Sequence, residues 1–265
     1  MSILEEIYTH KKNEVAEAKS RTPGETLLEQ IRKLSLPIDF KAALVNETLP
    51  APRLIAEVKY KSPSKGILSN NFDPISLAQT YASHGAAAIS VLTDEKYFGG
   101  GLDILSSIAK LGLSLPLLRK DFLFDSYQLL EARAAGASAI LLITAMLNQE
   151  DLVTLIEECE TLKMTALVEV HDEVELDRAL SAGAQVIGIN NRNLHDFSVS
   201  LETSIQLVNI CPPEVVLISE SGIKTPEDVE KLAQVNFDAV LVGETLVTAQ
   251  DIGIVVQNLT RVSAR

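Results

Sequence analysis

The chain has no tryptophan, two cysteines, three methionines and twelve phenylalanine or tyrosine residues in 265. Cys159 and Cys211 stand alone, far apart and without metal-ligand spacing, so they read as two reduced thiols rather than a disulfide framework. No apolar run approaches the roughly 18 residues of a membrane span. The opening Met-Ser-Ile-Leu-Glu-Glu-Ile has no basic stretch followed by an apolar one, which reads as no signal peptide and predicts a cytoplasmic protein. Positive charge is scarce as well. The formal net charge of −13 argues against a general nucleic-acid surface, while leaving room for a local basic pocket around a small anion.

The chain does have apolar content, at 46%, and a repeated unit. Residues 3–18 carry an amphipathic pattern and 24–34 a second helical one; Pro37 and Pro50 bracket a transitional segment. Eight short apolar runs follow, at 54–59, 87–93, 116–120, 137–143, 165–169, 186–190, 215–219 and 239–242. Helical periodicity fills most gaps, as at 126–134, 148–162 and 173–182, and Gly85, Gly136 and Gly183 stand where left-handed residues close helices. Near-continuous apolar strands imply a parallel sheet covered on both faces. Eight βα units without a Pro-, Gly- or Ser-rich linker predict a single (βα)8 barrel at 51–265, preceded by a helical extension at 1–50.

A parallel barrel gathers its chemistry where strands end. In 54–59, Ile55, Glu57 and Lys59 share one face by alternation. Opposite charges there are costly unless they are paired or used. A Ser-Pro-Ser-Lys-Gly loop follows, beginning at Ser62. The second run leads into 93–101, too rich in glycine for regular structure; the third ends in Arg119-Lys120-Asp121-Phe122; the fifth in Glu169-Val170-His171. The sixth ends in Asn190-Asn191-Arg192, the seventh in Ser219-Glu220-Ser221-Gly222 and the eighth in Gly243-Glu244. One polar ending is ordinary surface; seven around one ring point to a site. Ser221-Gly222 and Gly243-Glu244 are turns in which main-chain N–H groups can approach an anion, at the frequent phosphate position of this fold. The reading is a phosphorylated small substrate with lysine and glutamate side chains facing its reactive part. His171 reads as a structural histidine, and His10, His84 and His195 show no partner pattern.

These motifs, at 55–66, 92–100, 118–122, 167–170, 187–192, 219–223 and 241–243, resemble those of the indole-3-glycerol-phosphate synthase family in the same order across nearly the whole barrel. The helical preface resembles that family's N-terminal extension. The resemblance implies a lyase of tryptophan biosynthesis, closing the ring of 1-(2-carboxyphenylamino)-1-deoxyribulose 5-phosphate with loss of carbon dioxide and water. It implies that Lys120 is the general acid at the ketone oxygen and Glu169 the acid/base of the later steps. Lys59 then lies near the substrate carboxylate, and Glu57 and Asn190 position substrate and lysines. Ser62, Phe98, Phe122 and Ser221 contact the substrate, with the phenylalanines near its aromatic ring. Ser221, Gly222, Gly243 and the backbone of Glu244 form the phosphate pocket; some relatives have serine where this chain has Glu244.

No metal or organic cofactor is implied, because the cationic closed-ring intermediate itself accepts the electrons of decarboxylation. The resemblance also implies a monomer, one that can associate with other enzymes of the tryptophan pathway, acting on neither nucleic acid nor membrane. A neighbouring lysine should lower the pKa of Lys120, and Glu57 and Glu169 should oppose that shift. The direction in which Glu220 points is open. An isomerase of the phosphoribosylanthranilate type, or a phosphate-ligand sensor, would share the phosphate turns but not explain Glu57, Lys59 and Lys120 together.

Overall fold

Eight parallel strands close on themselves in chain order. They are β1 (Arg53–Val58), β2 (Ala88–Leu92), β3 (Leu117–Lys120), β4 (Ala139–Ile143), β5 (Thr165–Val170), β6 (Val186–Asn190), β7 (Val216–Glu220) and β8 (Ala239–Val242), with β8 paired to β1. The computed structural model describes residues 3–45, 52–63, 65–194 and 196–261. Pro50, Ser64, His195 and the boundary expected between 50 and 51 lie outside the described residues. All eight strands fall within two residues of the positions expected from the apolar runs.

The alternation that makes each strand two-sided builds two separate cores. Residues such as Leu54, Ala56, Val58, Ile140 and Val168 face the surrounding helices. Ile55, Leu118, Leu141, Leu167, Val216, Ile218 and Leu241 fill the barrel interior. Continuing the inward register toward the strand ends gives Glu57, Lys120, Glu169, Asn190 and Glu220. Register across the ladders fixes their heights: Glu57 is beside Ser90, Leu92 beside Lys120, Ile143 beside Glu169 and Asn190 beside Glu220.

Among the described residues three helices precede β1: α1 (Ile3–Arg21), α2 (Gly24–Ile31) and α3 (Phe40–Leu44). Acidic residues in the first turn of α1 and basic ones in its last complement the helix dipole. Ile7, Lys11 and Val15, four residues apart, form its buried stripe. Val15 and Leu27 pack on Tyr127 of the helix Ser126–Ala134. The five-residue α3 falls in the segment read as transitional. Asp39 caps it, and Phe40 and Leu44 join the interior core of the barrel. The glycine-rich stretch after β2 is also more regular than expected. Asp94 accepts from the backbone N–H groups of Tyr97 and Phe98, so a turn of helix forms over Glu95–Phe98 before Gly99 ends it in the left-handed conformation. Gly85, Gly136 and Gly183 have the positive φ expected of helix-closing glycines.

Candidate active site

Lys120 leaves β3 pointing inward, and its ammonium lies 2.9 Å from Glu220 and 3.3 Å from Glu169. Burial opposes its charge, but Glu220, Glu169 and Glu57 outweigh burial and hold Lys120 well above the usual lysine range. The balance between a neighbouring lysine and the glutamates, open in the sequence, falls to the three carboxylates. Lys59 lies 3.2 Å from Glu57, across the same opening.

The carboxylates do not share one state. Burial raises Glu169, yet Lys120, His171 and a hydrogen bond to Asn190 together bring it below the usual glutamate range. Burial pushes Glu220 up to about 7, reinforced by Glu169 and Glu57 and opposed by Lys120. Two buried carboxylates thus differ in proton affinity because only one has a second cation beside it. Gly188 makes the inward position of Glu220 feasible, since a Cβ at 188 would stand 2.2 Å from Glu220 Oε1.

Two adjoining cavities meet at this cluster, both lined by Glu57, Lys59, Lys120, Arg192, Ser221 and Glu244. The first is the more apolar, walled by Leu4 and Ile7 of α1 and by Phe98, Phe122 and Phe197, with Ser62 at its edge. The rings of Phe98 and Phe122 are 6.1 Å apart, and Lys59 Nζ lies 5.6 Å from the centre of the Phe98 ring. The second cavity is polar and lies over the turns after β7 and β8, bordered by Lys65, Lys224, Gly222 and Gly243.

Those turns are tightly built. Asn191 donates to Ser219 Oγ and to the carbonyls of Glu220 and Ser221, and Thr245 Oγ1 donates to the Ile223 carbonyl, tying the two turns together. Ser221 and Gly222 both have positive φ, 67° and 86°. At a serine this conformation costs on the order of 1–3 kcal/mol, and it gathers at functional turns. The second glycine has a further reason to be small, beside the one expected. Gly243 has φ −122°, and a Cβ there would stand 2.3 Å from Glu57 Oε1, so the position is small to admit the Glu57 carboxylate. Glu244 turns its side chain to Lys65, 2.5 Å away, and its backbone N–H is left at the head of the short helix Glu244–Val247.

All the residues selected from the sequence thus line one of the two cavities. Missed were the groups that hold them. Lys11 of α1 is fully buried, 2.8 Å from Asp121 and 3.1 Å from Asp94. Asp121 also pairs with Arg119 and accepts from Thr93 Oγ1. This network fixes the residue after Lys120 and the cap of the Phe98 turn. Leu4, Ile7 and Lys11 are spaced as one helix face, a signal shared with any core stripe. His171, read as structural, contacts Glu169.

The sequence model of the indole-3-glycerol phosphate synthase family matches residues 4–259. An indole-3-glycerol phosphate synthase of Roseiflexus castenholzii is 50% identical over 258 residues, covering 95% of each chain. That of Chloroherpeton thalassium is 45% identical over 251 residues, covering 94% of this chain and 96% of its own. The 3-hexulose-6-phosphate synthase of Salmonella typhimurium, 12% identical with a TM-score of 0.66 over 79% of this chain and 97% of its own, shares the fold alone. With the barrel, the paired cavities and the lysine–glutamate cluster at their junction, the chain belongs to the indole-3-glycerol phosphate synthase family.

Proposed function

We propose that this chain catalyses indole-3-glycerol phosphate synthesis with Lys120 as the acid of ring closure and Glu169 as the acid/base of dehydration. The observation that carries the assignment is the Lys120 ammonium, charged and half-buried between Glu169 and Glu220 where the apolar and polar cavities meet. The anthranilate ring of the substrate fits the phenylalanine-walled cavity and its phosphate the polar one, which sets the ketone at their junction. Attack of the ring carbon on the ketone puts negative charge on the ketone oxygen. An ammonium already held there protonates it without reorganisation.

Lys59, above the Phe98 ring, pairs with the substrate carboxylate until carbon dioxide leaves and the ring regains aromaticity. The remaining step removes a proton from the carbon beside the ring nitrogen and a hydroxyl from the former ketone carbon. Glu169 takes that proton and returns it to the departing hydroxyl, which leaves as water; solvent restores the proton of Lys120. Glu57 and Asn190 orient Lys59 and Glu169, and Ser62 borders the apolar cavity. The backbone N–H groups of Ser221, Gly222, Gly243 and Glu244 receive the phosphate.

We take the chain to act as a monomer in the cytoplasm, alone or beside other enzymes of the pathway. Within the extension expected at 1–50, Leu4 and Ile7 of α1 wall the apolar cavity. The test is direct: purified protein and the carboxyphenylamino substrate should yield indole absorbance and fluorescence. Release of carbon dioxide without an indole product would defeat the assignment.

A further inference from the structure

His171 follows β5 by one residue, and its ring lies between two glutamates. Nδ1 is 2.9 Å from Glu175 Oε2, the same oxygen that accepts the His171 backbone N–H at 2.8 Å. Nε2 is buried without a hydrogen-bond partner and faces Glu169 Oε1 at 3.4 Å, an ionic contact. Glu175 is itself fixed: it lies in the first turn of the helix Glu173–Ser181, and its N–H donates to the capping side chain of Asp172. The other oxygen of Glu169, Oε2, faces Lys120. Glu169 therefore has a nitrogen cation or potential cation at each oxygen.

We propose that His171 is a positioning residue for Glu169: Glu175 holds the imidazole fixed and charged, and the imidazolium holds Glu169 as an oriented carboxylate. The charged groups acting on the ring are Glu169 from its own strand, Glu175 from the following helix and Glu220 from β7; Lys120 acts from beyond Glu169. Burial favours neutral imidazole, but the three carboxylates outweigh it and raise His171 above the ordinary histidine range. At neutral pH Glu169 thus begins its step as a base. Once protonated, it has cations on both sides that favour prompt return of the proton to the departing hydroxyl. This inference rests on the acid/base reading of Glu169.

The test uses the full chain, whose four histidines make the imidazole nitrogen resonances assignable. Each ring is titrated by nuclear magnetic resonance in the parent, Glu169→Gln and Glu175→Gln proteins. The His171 midpoint should fall by about one pH unit in each variant, since each removes a neighbouring opposite charge. An unmoved midpoint in Glu169→Gln overturns the pairing, whatever the activities are. Kinetics supply the second arm. Without the imidazolium, Glu169 protonates more readily, so the acid limb of kcat should move to higher pH in His171→Gln while KM changes less than threefold. A uniform loss of kcat with the parent's pH profile would reduce His171 to packing. Wild-type turnover by Glu169→Gln would instead remove the acid/base reading and this inference with it.

Discussion

Replacing Lys11 with methionine keeps most of its volume and removes one buried charge that lines neither cavity. In the parent the ammonium faces two fully buried aspartates, Asp94 and Asp121, and the half-buried Glu14. Removing one partner of a buried ion pair costs about 3–5 kcal/mol, because the other charge stays buried. Asp121 keeps Arg119 and Thr93, and Asp94 keeps the N–H groups of Tyr97 and Phe98, which places the expected loss near the lower end, about 3 kcal/mol.

Urea unfolding followed by far-ultraviolet circular dichroism measures this, with a lower midpoint and an unchanged slope. The pH dependence provides an internal control. Burial would raise Asp121, but Arg119 and Lys11 outweigh it, and its pKa is lowered in the folded protein. A depressed carboxylate contributes stability above its unfolded pKa and loses it as pH falls through the folded value. Without Lys11 the folded value rises, so the difference between parent and variant should shrink as the medium becomes acid. A loss below about 1 kcal/mol, or one that grows toward low pH, would refute the reading of Lys11 as the cation that holds Asp94 and Asp121.

Glu169→Gln should slow product formation strongly while ring closure proceeds, so rapid quenching should find a closed-ring intermediate; unchanged single-turnover kinetics would reduce Glu169 to positioning. In the phosphate turns, Gly222→Val should weaken substrate binding more than Ser221→Ala, because its Cβ would stand 2.7 Å from Val199 at positive φ. Loss of the serine hydroxyl removes one hydrogen bond to a charged group, roughly 1.5–3 kcal/mol. Gly243→Val should weaken binding and also lower kcat, since it displaces Glu57; calorimetric affinities and kcat for the three variants give the order. Glu220 has a folded pKa of about 7, above its ordinary 4.5, so its contribution is present below the unfolded value and lost as pH rises through 7. Glu220→Gln should therefore gain stability relative to the parent between pH 5 and 8, by up to about 3 kcal/mol, read by urea titration at each pH.

The barrel was legible because both faces of a parallel strand are apolar, which leaves eight unmistakable runs. The candidate site was legible for a related reason: Glu57, Lys120, Glu169 and Asn190 break the inward register only at strand ends. What sequence pattern did not supply was spatial pairing. Lys11 looks like a charged residue on an amphipathic helix until the fold brings Asp94 and Asp121, from two other βα units, against it. The two glycines expected to admit phosphate have different neighbours, Val199 for Gly222 and Glu57 for Gly243, and only the folded chain separates them. The pKa of Lys120 depended on a sum of opposing effects whose decisive member, Glu220, had no assigned direction in the sequence. The short α3 and the Glu95–Phe98 turn are held by caps and packing, too brief for periodicity to register.

The central claim is that the Lys120 ammonium drives ring closure, and single-turnover formation of indole fluorescence by Lys120→Ala tests it most directly. The absence of tryptophan gives the chain little emission of its own in that window. General acid catalysis contributes roughly 100- to 10,000-fold, so the closure rate should fall by at least about 100-fold. Substrate affinity, measured separately by calorimetry, should fall much less, because the ammonium acts chiefly in the transition state. Closure within about tenfold of the parent rate, in a variant that binds substrate normally, would contradict the account and transfer the proton to Lys59.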